Sequence, residues 1–329
     1  MTTAPVVFAA VTATEQVRTA SKSRGARRMA GTVSIGRRSG RRDHAVMETA
    51  PVVIDEKFRK CATYLFINAP DPKTSAIGKR LVGTAFFVTV FSGNEGAAMY
   101  AVTARHIIDN SARLGPLFVR MNTMEGYVDL ETQQSEWTCH PSTDVAAIRV
   151  RSLPVGADLR SMGLDMLLTD KMVTEHLVGA GDEIFFTGLF SEHPGRQRVQ
   201  PIMRFGNLSM MPYEPIRVKD LSVASEIDAY LVEARSWGGH SGSPAFVYYP
   251  PDRFGHSISV APTGLPVFLL GLVHGHYDIK SDVSFTGDFL GKGEVPVNAG
   301  MAVVVPSQKI IDVLMDDDLV TDRGGLGPG

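Results

Sequence analysis

The sequence predicts an all-β protein that is made of two packed barrels and closed by a C-terminal α-helix. About eleven short runs are rich in β-branched and aromatic residues, and turn-forming residues cluster between them, as in sandwiches and barrels. Strands do not alternate with helical segments, which argues against a parallel α/β sheet. The predicted strands are CATYLFI (61–67), VGTAFFVTVF (82–91), AAMYAVTA (97–104), PLFVRMN (116–122), DVAAIRV (144–150), EIFFTGLF (183–190), RVQPIMRFGNLSMM (198–211), AYLVEA (229–234), SPAFVYY (243–249), PVFLLGLVH (266–274) and GMAVVVP (300–306).

Two barrels are expected because these strands exceed what one simple six-stranded barrel holds and spread over roughly 260 residues. We expect the barrels over about residues 58–160 and 180–305, and a closing helix over 307–317. Ser307 can cap this helix. Its apolar stripe consists of Ile310, Ile311, Val313 and Leu314.

The beginning of the chain differs from the rest in charge. Residues 1–47 carry nine Lys and Arg against two acids, a net charge of +7, which leaves −9 for the rest of a chain with net charge −2. We expect residues 1–50 to be a disordered basic arm, because they have too little periodic apolar content to form a core. Met47 is an alternative start of the natural chain. The folded domain then covers 51–320, and 321–329 are expected to be a flexible tail.

The composition argues against several classes of protein. The chain is 44% hydrophobic and 21% charged, as globular proteins are, and no apolar run reaches the roughly 18 residues that span a bilayer. The apolar stretch near the start lacks a basic region before it, so we expect a cytoplasmic protein without a secretory signal. An Arg- and Ser-rich arm is also typical of an organelle transit peptide. Cys61 and Cys139 fit a reducing compartment, although one bridge between them stays open.

Three residues can together perform nucleophilic catalysis. Ser241 lies in the turn WGGHSGSPAF (237–246), where the amides of Gly239 and Ser241 can point at a developing oxyanion. His106 follows an apolar strand at the start of a short helix, and Asp144 stands at the entry to another strand. A serine hydroxyl needs such a base to remove its proton, and the base needs a partner that orients it. Each residue alone is also typical of a turn or a cap.

The order of these residues along the chain points to a known family. The order is His, Asp, Ser, with separations of 38 and 97 residues, as in chymotrypsin-like double barrels. The surrounding sequence resembles the trypsin-like serine peptidases, most of all the bacterial branch that includes the glutamyl endopeptidases and the high-temperature-requirement proteases. The similar segments are GTAFFVTV, VTARHIID, DVAAIRV, GDEIFFTGLF, GGHSGSPAF, LLGLVHG and AVVVPSQKIIDVL.

The resemblance covers roughly residues 58–318 and implies a chymotrypsin-like double barrel that cleaves protein or peptide substrates. It implies that Ser241 attacks the scissile carbonyl, that His106 takes the serine proton, and that Asp144 holds the tautomer of His106. The amides of Gly239 and Ser241 would form the oxyanion hole. The resemblance implies no cofactor, and the peptide-binding module of many high-temperature-requirement proteases is not expected.

The sequence departs from the family pattern around the serine. His240 stands where animal digestive members have the aspartate that receives a new N-terminus, so no zymogen switch of that kind is expected. Ser243 stands where glycine is typical. The 34 residues from Ser241 to Gly275 exceed the usual number, which predicts an inserted hairpin loop over 248–266.

The resemblance also suggests where the substrate side chain binds. Arg235 and Ser236 match the base of the S1 pocket, and His274 and Gly275 lie on the strand that faces it. An arginine or histidine there favours an acidic P1 side chain, whereas most arginines point to solvent. The HGH sequence at 274–276 offers two histidines, but too few further ligands to predict a metal site.

Three other readings compete with a serine endopeptidase. A trypsin-like fold without activity would serve as a peptide- or protein-binding module, since fold does not determine function. An α/β-hydrolase needs G-x-S-x-G and the order Ser, Asp, His, and here the last position of the motif is Ser243. A nucleic-acid partner would depend on the basic arm alone, because the body is acidic, so none is expected. The oligomeric state is left open.

Overall fold

The structure is a computed structural model, and it describes residues 54–70, 77–91, 96–218, 226–234, 239–248, 267–285 and 291–324, with side chains left undescribed at 278–297. The predicted basic arm at 1–50, most of the predicted inserted loop at 248–266, and Arg235 and Ser236 lie outside these residues.

The described residues form sixteen strands, five α-helices and two 3-10 helices. Strands β1 to β16 are, in order, Ala62–Pro70, Ile77–Phe91, Ala97–Thr103, Leu117–Asn122, Tyr127–Thr132, Thr138–Cys139, Ala146–Val150, Met162–Gly163, Glu183–Gly188, Ile202–Met210, Ile216–Arg217, Glu226–Ile227, Tyr230–Glu233, Pro244–Tyr248, Val267–Phe285 and Gly291–Pro306. Helices α1 to α5 are Lys57–Lys60, Arg105–Ser111, Asp170–Glu175, Ser307–Leu314 and Asp317–Asp322, and the 3-10 helices are Gln134–Glu136 and Leu164–Met166.

Two sheets carry the fold. The first has eight strands in the order β5-β4-β1-β2-β3-β7-β6, with β8 paired to β2, and this path does not close within the described residues. The second is a closed barrel of β10-β13-β16-β15-β14-β9. The first sheet is antiparallel except for the β2–β8 pair, and the barrel is antiparallel throughout. The all-β class and the C-terminal helix are confirmed, and a closed barrel beside a second sheet is consistent with a chymotrypsin-like double barrel.

One apolar cluster connects the two sheets. It contains Phe86 and Ile148 of the first sheet together with Phe185 and Phe246 of the closed barrel, all buried. Phe58 of α1 packs edge-on against Phe185 and Phe246, with ring centroids 5.6 and 4.9 Å apart. Because buried side chains from both sheets pack together in this cluster, the shared core holds the two sheets against each other.

The C-terminal helix begins at Ser307 as predicted, but it ends at Leu314 and not at 317, and its cap differs from the prediction. The expected cap at Ser307 is wrong: Pro306 precedes the helix, and the Ser307 hydroxyl donates instead to the buried carbonyl of Leu168. The stripe is confirmed at Ile310, Val313 and Leu314, which are buried, whereas Ile311 is half-buried.

The predicted tail at 321–329 begins inside a helix. Helix α5 continues to Asp322, and buried Arg323 donates to the Leu314 carbonyl at 2.6 Å and to the Tyr100 hydroxyl at 3.2 Å.

Two further observations concern the cysteines and the helices. Cys61 and Cys139 are both free thiols, and burial raises the pKa of Cys61 to about 12. Among the described residues, no helix combines the length and the apolar character needed to cross a bilayer.

Candidate active site

His106 and Asp144 meet because of how two strands pair. Strands β3 and β7 are antiparallel, and Thr103 at the end of β3 pairs with Ala146 at the start of β7. His106, three residues after β3, and Asp144, two residues before β7, therefore lie at the same end of the sheet. The Asp144 carboxylate accepts the His106 backbone N–H through Oδ1 at 2.8 Å, and its Oδ2 lies 2.8 Å from His106 Nδ1. An ionised carboxylate only accepts hydrogen bonds, so Nδ1 carries the proton and Nε2 carries the lone pair.

Asp144 is a buried charge with several donors. It is 1% exposed, and burial by itself would raise its pKa. Hydrogen bonds from His106 and His274 outweigh the burial and hold the pKa of Asp144 well below its usual range. The carboxylate is therefore ionised at neutral pH and can orient an imidazole.

His274 is the contact that sequence reasoning missed. Its Nδ1 lies 2.5 Å from Asp144 Oδ2, the same oxygen that faces His106, and the two imidazoles stand edge to face at 5.2 Å. The pairing of β15 with β16 shifts register between Val273 and Gly275, at His274 itself. The His274 side chain, which is predicted to line the S1 pocket, is buried and contacts the carboxylate, so two imidazoles share one charge there. No sequence pattern indicates this contact, because Asp144 and His274 are 130 residues apart in the chain.

Ser241 lies in a turn that glycines make possible. Gly239 has φ +100° and Gly242 has φ +83°, values that disfavour any side chain. The Ser241 carbonyl accepts the Thr84 N–H at 2.9 Å, and the Gly242 N–H donates to the Val273 carbonyl at 2.8 Å. The turn is therefore held between β2 of the first sheet and β15 of the second.

The Ser241 hydroxyl does not contact the base. Its Oγ donates to the His274 carbonyl at 2.8 Å, and the described residues contain no hydrogen bond between Ser241 and His106. The structure thus brings His106 and Asp144 together and places Ser241 nearby, where its hydroxyl binds the His274 carbonyl. His106, Asp144 and Ser241 are not joined in one chain of hydrogen bonds.

The amides predicted to bind the oxyanion are available. Neither the Gly239 nor the Ser241 N–H donates to another described residue. The Gly239 carbonyl has a different role: it accepts a hydrogen bond from the Thr84 hydroxyl at 2.8 Å. Thr84 Oγ1 in turn accepts the Leu189 N–H at 3.1 Å. Threonine hydroxyls in such positions fix a loop by donating and accepting at once.

The two residues that depart from the family pattern are both buried beneath the turn. His240 is fully buried and stands edge-on to Phe186, with ring centroids 5.4 Å apart. Ser243 is also fully buried, and its hydroxyl has no hydrogen-bond partner among the described residues. A Cβ on Gly188 would overlap the Ser243 hydroxyl at 2.0 Å, so the glycine leaves space for the serine.

The S1 residues are described only in part. Arg235 and Ser236 lie outside the described residues, and His274 is turned to Asp144. A Cβ on Gly275 of β15 would meet no atom of the described residues within 4 Å.

One group of side chains has the composition of a metal site. Donor atoms of His106, Asp144 and His274 lie within 4.8 Å of one another. Two imidazoles and a carboxylate suit zinc. Both Nδ1 atoms, however, already face Asp144 Oδ2 at hydrogen-bond distance, and a protonated nitrogen cannot be a ligand.

The fold and the site together define a class: a chymotrypsin-like double barrel that carries a His–Asp pair beside a serine turn. No protein-family model matches the chain, and no curated protein matches it. Among solved structures, it is similar to the crystal structure of Rv3671c protease in its inactive form. The TM-score is 0.41 and the identity 14%, over 78% of this chain and 88% of that one. This similarity concerns the fold alone.

Proposed function

We propose that the chain is a serine endopeptidase, which hydrolyses peptide bonds in protein or peptide substrates through an acyl-enzyme intermediate. The observation that carries the proposal is the pair of His106 and buried Asp144. Both carboxylate oxygens engage His106, one at its backbone and one at Nδ1, each at 2.8 Å. This contact fixes the tautomer that leaves Nε2 free to accept a proton.

The reaction needs the Ser241 hydroxyl to turn from the His274 carbonyl towards His106. Rotation about one side-chain bond is fast, and catalytic hydrogen bonds are often loose before substrate binds. The Ser241 proton then moves to His106 Nε2 while Oγ bonds to the substrate carbonyl carbon. The charge that develops on the carbonyl oxygen is stabilised by the amides of Gly239 and Ser241.

The acyl-enzyme forms when the tetrahedral intermediate collapses. The C–N bond breaks, and His106 gives its proton to the leaving nitrogen. A water molecule then repeats the attack with His106 as base, which releases the acid product and restores Ser241. All groups needed for these steps belong to the chain, so the proposal requires no cofactor.

One observation favours a second candidate, a peptide- or protein-binding module without activity. The Ser241 hydroxyl is satisfied by the His274 carbonyl at 2.8 Å and makes no bond to the base. If that bond persists in solution, Ser241 is not activated, and the region around Ser241 serves for binding alone.

A fluorophosphonate probe distinguishes the two candidates, because it reacts only with an activated serine. The purified protein is compared with Ser241→Ala, His106→Ala and the control Ser152→Ala, which removes an exposed hydroxyl between β7 and β8. We expect the wild type and the control to be labelled and both site variants to stay unlabelled. Absence of labelling in folded wild type would contradict the endopeptidase and support the binding module.

A further inference from the structure

A cavity lies beside His106, and no residue of β15 lines it. It has a volume of about 180 Å³ and is formed by strand β2 and helix α2. His106 lines it, so whatever occupies it lies next to the base. The space suits one substrate side chain and is too small for a cofactor.

The lining of this cavity combines an apolar floor with cationic and amide donors. Val82, Ile107 and Leu114 supply the apolar surface. Arg80 and Asn110 are exposed at the cavity, and neither makes a hydrogen bond or ion pair with another described residue. No Asp or Glu of the described residues lines it. A carboxylate on a short apolar stem would satisfy both donors and cover the floor.

Arg80 differs from its neighbour on the same strand. Lys79 lies over the Phe118 ring and 3.7 Å from Asp129, so its charge already has partners. The guanidinium of Arg80 has none in the described part of the chain, and a guanidinium binds a carboxylate through two parallel hydrogen bonds. The cavity therefore has at its edge a guanidinium that pairs with no carboxylate of the described residues.

The position of the cavity indicates which half of a substrate reaches it. Ser241 is held on one side by β15, where no described atom lies within 4 Å of a Cβ on Gly275, and on the other by Thr84 of β2. A peptide whose acyl half lies along β15 continues past His106 towards β2. His106 protonates the leaving nitrogen, so the leaving half of the peptide passes this cavity.

We propose that this cavity binds an acidic side chain, best a glutamate, from the leaving half of the substrate. The inference rests on the proposed endopeptidase function and adds a substrate class to it. Arg80 and Asn110 are the specificity residues, and Val82, Ile107 and Leu114 contact the stem of the side chain.

The test uses peptides that share the same acyl half and carry Glu, Gln or Lys at each of the first three leaving positions. We expect kcat/KM to favour Glu over Lys by about tenfold at one of these positions, and the preference to weaken at high salt. Arg80→Glu should reverse the preference. The control Arg113→Glu, which changes an exposed arginine outside the cavity, should leave it unchanged.

A binding measurement separates failure of this inference from failure of the endopeptidase. In Ser241→Ala, fluorescence anisotropy compares the affinity of the Glu and Lys peptides, with and without Arg80→Glu. Tighter binding of the Glu peptide that is lost in Arg80→Glu supports the cavity even if the wild type cleaves nothing. Equal binding of both peptides, or an equal effect of Arg113→Glu, overturns the inference.

Discussion

At the scale of single residues, the most informative contact is the one between His274 and Asp144. One carboxylate oxygen faces two imidazoles, at 2.8 Å for His106 and 2.5 Å for His274. We expect His274→Ala to lower kcat about tenfold or more with little change in KM, because a hydrogen bond to a charged group is lost and Asp144 is less firmly placed. His274→Asn keeps a donor near the position of Nδ1 and should recover most of kcat. Equal kcat in both variants would mean that His274 only fills space.

The charge of Asp144 also predicts how stability depends on pH. Its pKa is depressed in the folded state from an ordinary value of 3.8, so the unfolded chain binds its proton first as pH falls. The stabilisation is present above about pH 4 and is lost as pH falls below that value towards the folded pKa. Urea unfolding between pH 6 and pH 2 should therefore show a steeper loss of unfolding free energy for the wild type than for Asp144→Asn. Parallel curves would contradict this assignment.

At the scale of elements, the serine turn depends on Gly242. A Cβ at this position would lie 2.0 Å from the Thr84 carbonyl oxygen and 2.5 Å from Thr103 Oγ1, at φ +83°. Gly242→Ala should cost about 2 kcal/mol or more of unfolding free energy and abolish probe labelling, because the turn must move away from β2. Gly78→Ala, where a Cβ meets no described atom within 4 Å, is the matched control and should change neither quantity. Normal labelling of Gly242→Ala would show that the turn tolerates the shift.

The elements also show which features of the structure could be predicted from the sequence. The strands at 97–104 and 144–150 could be predicted from their β-branched residues, and their neighbours His106 and Asp144 from their order with Ser241 along the chain and the motifs around them. The contact of His274 could not, because it depends on a register shift in the β15–β16 pair, set by strands distant in sequence. The cap at Ser307 failed for a similar reason, since the Leu168 carbonyl competes for its hydroxyl.

The Ser241 hydroxyl lies beyond sequence reasoning as well. Its residue type and its place in the chain predict a nucleophile, but its rotamer depends on whether the His274 carbonyl or His106 Nε2 is the nearer acceptor. Such choices depend on atoms that only the folded structure brings together. The sequence therefore predicts the strand order and which residues are candidates for catalysis, whereas it does not predict the directions of the side chains at the site.

At the scale of the whole molecule, the basic arm and the acidic remainder of the chain predict separable roles. The described core begins at Phe58, and the site residues lie between His106 and Gly275. Deleting residues 2–50 should leave Tm and probe labelling unchanged, because the removed stretch has too little apolar content to contribute a core.

A longer deletion is the control for this experiment. Removing residues 2–60 also removes Phe58, whose ring packs 5.6 Å from Phe185 and 4.9 Å from Phe246, and should cost about 3–5 kcal/mol of unfolding free energy. If deleting residues 2–50 lowers Tm as much as deleting residues 2–60, the arm has a structural role. If the arm only binds polyanions, deleting residues 2–50 should weaken the salt-dependent retention of the protein on nucleic acid. Thermal unfolding and probe labelling should then stay constant, because such binding depends on the charge of the arm and not on the core.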